Sequence, residues 1–163
     1  MNWNEQLLAE TRRRLFGEGI PRIRKCLKEL SQEEIWYRPN DNSNSVGNLI
    51  LHLCGNVRQW IIAGLGGNKD VRQRAAEFDE KGPLSTATLE NLLHQLEQDV
   101  ELVLTKVKAE DLLKTHAVQV YQETGISILV HVVEHFSYHV GQITYYVKWR
   151  KDMDTNYYPE DLG

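Results

Sequence analysis

Leu89, Leu92, Leu93, Leu96, Val100, Val103 and Val107 are separated by steps of three and four residues or their sums, a rhythm that fits one side of an α-helix and no β-strand. Three other stretches repeat it. Residues 3–30 carry Leu7, Leu8, Leu15, Ile20, Ile23, Leu27 and Leu30 on one stripe. Gly17, Gly19 and Pro21 fall in the middle of that stretch, and a proline there removes an amide donor and clashes with the preceding turn, so a kink or break is expected. A second helix starts with Ser45 as cap, runs through His52 to about Ala63 and is ended by Gly64-Leu-Gly-Gly67. A fourth begins between Thr124 and Ser127 and continues to about Trp149. A helix with one apolar stripe must bury it against another such helix, and four of them predict an all-α four-helix bundle. With 163 residues and 41% hydrophobic content, the chain reads as a single domain spanning 1–163.

The connections are unequal. Ser31-Gln-Glu-Glu34 matches a capping box and opens a short helical turn to Trp36, while Arg38-Pro-Asn-Asp-Asn-Ser-Asn is loop chemistry. The polar run 68–82 is long enough to cross an end of the bundle, so a simple up-down-up-down order does not follow. Pro83-Leu-Ser85 opens the third helix, with Ser85 as cap and Leu84 placed to staple onto Leu89. Val118-Gln-Val-Tyr121 alternates weakly and reads as extended chain crossing the bundle. The tail 153–163, with Tyr157-Tyr-Pro159, is expected on the surface or against a partner subunit.

Charge and composition exclude several function classes. A net charge of −4 gives no general grip on nucleic acid. Arg12-Arg-Arg14 with Arg22, Arg24, Lys25 and Lys28 make the N-terminal region locally basic, but Glu5, Glu10, Glu18 and Glu29 are interspersed, which is the pattern of a solvated helix face. Cys26 and Cys54 lack ligand spacing and read as reduced core residues of a cytoplasmic protein. No run approaches the roughly 18 apolar residues that span a bilayer. The first ten residues lack the basic and apolar regions of a signal peptide. The expectation is a soluble, cytoplasmic protein with no nucleic-acid or membrane partner.

The chemistry-bearing feature is His131-Val-Val-Glu-His135-Phe-Ser-Tyr-His139-Val-Gly-Gln142. Helical residues four apart lie about 40° apart in azimuth and about 6 Å apart along the axis, so His135 and His139 point the same way from adjacent turns. His52 lies in a second apolar segment, Asn48-Leu-Ile-Leu-His52-Leu-Cys-Gly-Asn56. A lone histidine on an apolar face is often a satisfied core residue. A pair is different, because burying two imidazoles costs desolvation that a cation offsets by bonding one nitrogen of each ring. Three imidazoles from two helices would hold a divalent metal and leave positions open. His131, about 80° around the helix from His139, belongs to the surroundings or the pocket wall. His94 and His116 have no spacing partners, and Glu134 points about 100° away from His135. Gln142 is placed to bond a water, a substrate or a neighbouring polar group. Asn56 is placed to line the pocket mouth, and Gly141 to admit a facing helix.

His52 together with His135-Phe-Ser-Tyr-His139-Val-Gly141-Gln142 resembles the DinB family of metal-binding four-helix bundles. The run from Pro39 through His52 to Trp60 is similar to the second-helix signature of its DUF1572 subgroup. The resemblance covers nearly the whole chain. It implies a down-up-up-down bundle with a long crossover, a homodimer, and a His52, His135 and His139 triad for zinc, nickel or another divalent ion. Val140 stands where many members carry a basic residue, which leaves the ligands intact and removes an anion-binding group.

Three histidine ligands leave a position for water or substrate, and a metal lowers the pKa of a bound water to near neutral or deprotonates a bound thiol. A transferase or isomerase using a low-molecular-weight thiol, as in some relatives, and a hydrolase are the two enzymatic readings for a small-molecule substrate. Gln142, Asn56 and Tyr138 are candidate orienting groups. A non-catalytic metal-binding or stress-response interaction protein is the alternative of a different class. No Ser/His/Asp or Cys/His set and no phosphate-cradling loop is present.

Overall fold

The computed structural model describes residues 2–82 and 84–158. The first helix, α1 (Trp3–Arg12), starts on Asn2, whose side chain accepts the Glu5 amide while the Glu5 carboxylate accepts the Asn2 amide, both at 3.1 Å. The break expected around Gly17 and Pro21 is instead a π-helical stretch, Arg13–Gly19, that runs on into α2 (Ile20–Glu29). The Ile20 amide reaches back five residues to the Leu15 carbonyl. This wider turn takes up the proline at the head of α2, where a regular interior turn would clash with its ring. Gly19 has a second role: a Cβ there would lie 2.7 Å from a ring carbon of Phe136.

The Ser31–Glu34 capping box forms as expected and starts α3 (Gln32–Trp36). Ser45 caps α4 (Val46–Val57), which continues as a second π stretch, Arg58–Leu65, and stops at Gly66 and Gly67, the latter at φ +71. Within the polar connection, residues 74–79 form a helix, α5 (Arg74–Asp79), that the sequence reading leaves as loop. Ser85 caps α6 (Thr86–Leu104), and Pro83, expected at its entry, lies outside the described residues. A short α7 (Ala109–Leu113) follows.

The weakly alternating segment is a β-hairpin. β1 (Thr115–Val118) pairs antiparallel with β2 (Tyr121–Thr124) around Gln119 in the left-handed region at φ 56. The hairpin packs on the second π stretch, where Gly64 leaves room for Val118. Thr124 then caps α8 (Gly125–Lys151), and Asp152 ends it at φ 49.

Residue pairs between the four long rods fix their directions. Arg12 bonds Glu101 and Arg24 bonds Glu97, so α1–α2 runs antiparallel to α6. Arg58 bonds Asp99 while Gly66 abuts Val103, so the α4 rod and α6 are parallel. His52 meets His135 and Trp60 meets His131, which makes α4 antiparallel to α8. Gly19 abuts Phe136, and Cys26 and Thr144 both bond the Tyr157 hydroxyl, so the first rod runs with α8. The order is down-up-up-down, and the parallel second and third rods require the long crossover that carries α5. The core draws on all four rods, including Leu15, Ile23, Ile50, Leu53, Ile61, Leu93, Leu96, Val132, Phe136 and Ile143.

Arg13 and Arg14 are paired with Glu10 and Glu18 along the exposed face, as the interspersed acids imply. Both cysteines are buried and free. The tail folds back: the Tyr157 hydroxyl lies 3.1 Å from Cys26 Sγ and 2.8 Å from Thr144 Oγ1, and Arg22 covers the rings of Tyr157 and Tyr158. Residues 159–163 lie outside the described part. Among the described residues no helix is long and apolar enough to cross a membrane.

The Gly19 contact gives a stability test. Gly19→Ala is expected to destabilise the fold by about 1–3 kcal/mol, because the buried Phe136 ring and the Arg14 carbonyl leave no space for a methyl group. Urea unfolding of the variant against wild type reads this directly.

Candidate metal centre

α8 presents His135 and His139 from adjacent turns toward α4, and α4 presents His52, only 5% exposed, from the opposite side. The three rings converge through the same atom. His52 Nε2 lies 3.1 Å from His135 Nε2, which lies 3.2 Å from His139 Nε2. One nitrogen of each ring falls within 4.8 Å of the others, so the cluster could hold a metal ion. Ligand nitrogens on a tetrahedral zinc at about 2.05 Å sit about 3.3 Å apart, close to both short separations. Two Nε2 atoms at that distance share at most one proton, and His135 faces two of them. Bare rings therefore compete, whereas one cation satisfies all three lone pairs.

The far side of two rings is already supported. His52 Nδ1 lies 3.0 Å from Glu77 Oε2, and Arg72 holds both Glu77 oxygens at 2.7 Å. The ring of Phe78 sits 4.8 Å from that of His52. Arg72 and Glu77 come from the crossover that the sequence reading passes over as a polar loop. Their signal is weak: one short turn, Ala75-Ala-Glu-Phe78, inside a charged stretch. The crossover is pinned further by the Asn48 side-chain amide, which donates to the carbonyls of Glu77 and Glu80. Gly55 is required there, since a Cβ would lie 1.9 Å from Glu77 Oε1.

His139 Nδ1 lies 2.7 Å from Gln142 Oε1, and the Gln142 amide donates to the Tyr138 hydroxyl at 3.2 Å. Gln142 is thus joined to His139 and Tyr138, the neighbouring-group alternative among those its position allowed. Asn56 differs from expectation. It is buried, forms no hydrogen bond to the described residues, and does not line the cleft mouth. Gly141 faces open space, so no helix approaches it. His131 lies flat against Trp60, with ring centroids 3.8 Å apart, and forms a wall beside His135. His116, on β1, donates from Nε2 to the Asp111 carbonyl at 2.7 Å, and His94 is exposed beside Gln98.

Burial holds two of the triad rings neutral: it pushes His135 down from 6.5 to about 3, helped by the neighbouring His139 and His52, and it lowers His139 as well. Burial also pushes Glu77 upward, but its bonds to Arg72 and His52 outweigh that, and the carboxyl ends below its ordinary value. Neutral imidazoles backed by an ionised carboxylate form a donor set suited to a divalent ion.

A cleft of about 620 Å³ opens beside His139 and Gln142, between the start of α4 and the outer face of α8. Tyr138, Tyr145, Tyr146 and Trp149 form its aromatic wall, with Asn42, Ser43 and Asn44 opposite.

This is a down-up-up-down helical bundle with a three-histidine cluster between its second and fourth rods. The chain belongs to the DUF1572 family of proteins of unknown function, whose family model matches residues 4–158. Its fold is that of a DinB-like protein, YjoA, from Bacillus subtilis, with a TM-score of 0.66 over 91% of this chain and 94% of that one at 18% identity. No curated protein is detectably similar in sequence.

The neutral rings set a pH dependence. In the unfolded chain a histidine titrates near 6.5, whereas folded His135 titrates near 3, so the unfolded state binds more protons between these values. Stability of the metal-free protein is expected to fall as pH drops from about 6.5 toward 3, and His135→Phe should flatten that slope in urea titrations. Arg72→Met leaves a buried carboxylate unpaired and should cost about 3–5 kcal/mol at pH 7 by the same measurement.

Proposed function

We propose that this protein binds one divalent cation, zinc or nickel, through Nε2 of His52, His135 and His139, and uses it to act on a small uncharged molecule held in the adjoining cleft. The convergence of three Nε2 atoms at 3.1 and 3.2 Å in a half-buried, neutral setting carries the reading. A divalent ion held there supplies Lewis acidity and lowers the pKa of water to near neutral. The chain's residues do the rest. Glu77 holds His52 by Nδ1, Gln142 holds His139 by Nδ1, and the aromatic wall offers an apolar surface along one side of the cleft.

Hydrolysis of a neutral substrate fits the cleft better than transfer from a low-molecular-weight thiol bearing carboxylates, because among the described residues no lysine or arginine lines it. One observation favours a non-catalytic metal-binding role instead: among the described residues no carboxylate lines the cleft, and Glu77 is committed to Arg72 and His52, so none of the described acids faces the opening as a general base. A homodimer belongs to the same proposal, on the family resemblance. So does a cytoplasmic location, in keeping with two buried free thiols, of which burial pushes Cys54 up to about 12.

Elemental analysis of untagged protein should show about one metal per chain, lost in the His135→Ala, His139→Ala double variant. Metal retained by that variant removes the triad assignment. Glu77→Gln is expected to weaken zinc binding about 10- to 100-fold with the fold intact by circular dichroism. In the cobalt-substituted protein, a visible-band shift on adding small thiols would favour thiol transfer, and no shift would favour the hydrolytic or binding readings.

A further inference from the structure

The outward face of α8 has no covering among the described residues. Val130, Tyr138, Tyr145 and Trp149 are each more than half exposed along it. At its middle stands Gly141, also exposed, where a Cβ would meet nothing within 4 Å. A glycine in an exposed helix interior costs about 1 kcal/mol against alanine. No contact among the described residues requires one here. Grooves of about 620 Å³ run along both flanks of α8, one against α4 and one against the first rod, so the helix stands out as a ridge.

The side chains of this ridge are arranged about Gly141. At about 1.5 Å and about 100° per residue, Glu134 and Lys148 lie about 10.5 Å before and after it, within about 20° of its azimuth. Ser137 and Tyr145 lie about 6 Å before and after it, within about 40°. Glu134 and Lys148 are exposed, and neither side chain makes an ion pair or a hydrogen bond among the described residues.

A second α8, turned end over end about a two-fold axis in the contact plane at Gly141, fits this arrangement. Each residue before the glycine then meets the one equally far after it: Glu134 meets Lys148, Ser137 meets Tyr145, and Gly141 meets its own copy. A carboxylate faces an ammonium at both ends, a small residue faces a large ring at both intermediate levels, and the glycines let the backbones cross closely. Tyr138 falls within about 1.5 Å of the level of the second copy's Tyr145 and on the same flank, so the two rings pack. Tyr138 is the cleft-wall residue whose hydroxyl accepts from Gln142, itself bonded to His139. A parallel pair would instead set Glu134 against Glu134 and Lys148 against Lys148. The face is its own complement in the antiparallel sense, which is the requirement of a two-fold interface.

We propose that the outward face of α8 is the docking surface for a second copy of this chain, packed antiparallel about Gly141. The charges fix orientation and register, and the tyrosines supply the buried area. The pair agrees with the homodimer proposed above and goes beyond it in giving a face and a register. It needs no metal.

Sedimentation velocity of the full chain tests the interface. Wild type is expected to sediment as a dimer. Glu134→Lys and Lys148→Glu each set like charges together at both ends, and each should raise the dimer dissociation constant about tenfold or more. Mixed in equal amounts, the two variants are complementary at both ends, so dimer should return to near the wild-type level. Gly141→Gln puts a good helix former in open space; it should keep the wild-type circular dichroism spectrum and sediment as a monomer. Charge variants that dimerise as tightly as wild type, a mixture that stays monomeric, or a dimeric Gly141→Gln each overturn this face and register and leave a homodimer through another surface. A wild type that is monomeric at its highest soluble concentration overturns the homodimer as well.

Discussion

The packing of α4 against α8 in opposite directions is the constraint on which the site depends. It sets His52 between the two histidines that α8 offers at a four-residue interval, so that three Nε2 atoms meet at 3.1 and 3.2 Å. Imidazoles in such a place are costly to desolvate, and burial drives His135 and His139 toward the neutral form, His135 most of all. A fold chosen for stability alone would fill these positions with leucine or valine, as it does at the adjacent Leu53 and Val140 and one turn before His135 at Val132. The cost is concentrated where the rings converge, which is the pattern of a site in a bundle.

The topology supplies the rest of the centre. Because the second and third rods are parallel, the chain must travel the length of the bundle between them, and its crossover lies across the back of α4. That path puts Glu77 on His52 Nδ1 and lets Arg72 neutralise the carboxylate, all in a buried setting. Gly55 and Asn48 on α4 accommodate and fasten the crossover. The connection therefore belongs to the site as much as the helices do.

The rods are legible because each carries a long 3.6-residue period: Ser45 and Ser85 cap as expected, and the fourth rod starts on Thr124, within the expected 124–127. The triad is legible for the same reason, since a four-residue interval has a fixed meaning on a helix. Arg72 and Glu77 are not, because a buried ion pair between a loop residue and a short helix looks like any charged loop until its burial is known. A kink or break is expected at Gly17–Pro21, but the π stretch Arg13–Gly19 widens the turn and carries the helix on through the proline. The hairpin 115–124 was seen only as extended chain, four-residue strands being too short to show clear alternation. Asn56, expected at the pocket mouth, is buried and does not line the cleft, and Gly141, expected to admit a facing helix, has open space beside it.

The central claim is that three imidazoles bind one cation. X-ray absorption at the metal edge of zinc-reconstituted protein tests it most directly. The account predicts a shell of nitrogen and oxygen scatterers at about 2.0–2.1 Å with the multiple-scattering signature of three imidazoles, reduced to two in His52→Ala. A sulfur shell near 2.3 Å, or an imidazole count that His52→Ala leaves unchanged, would contradict it.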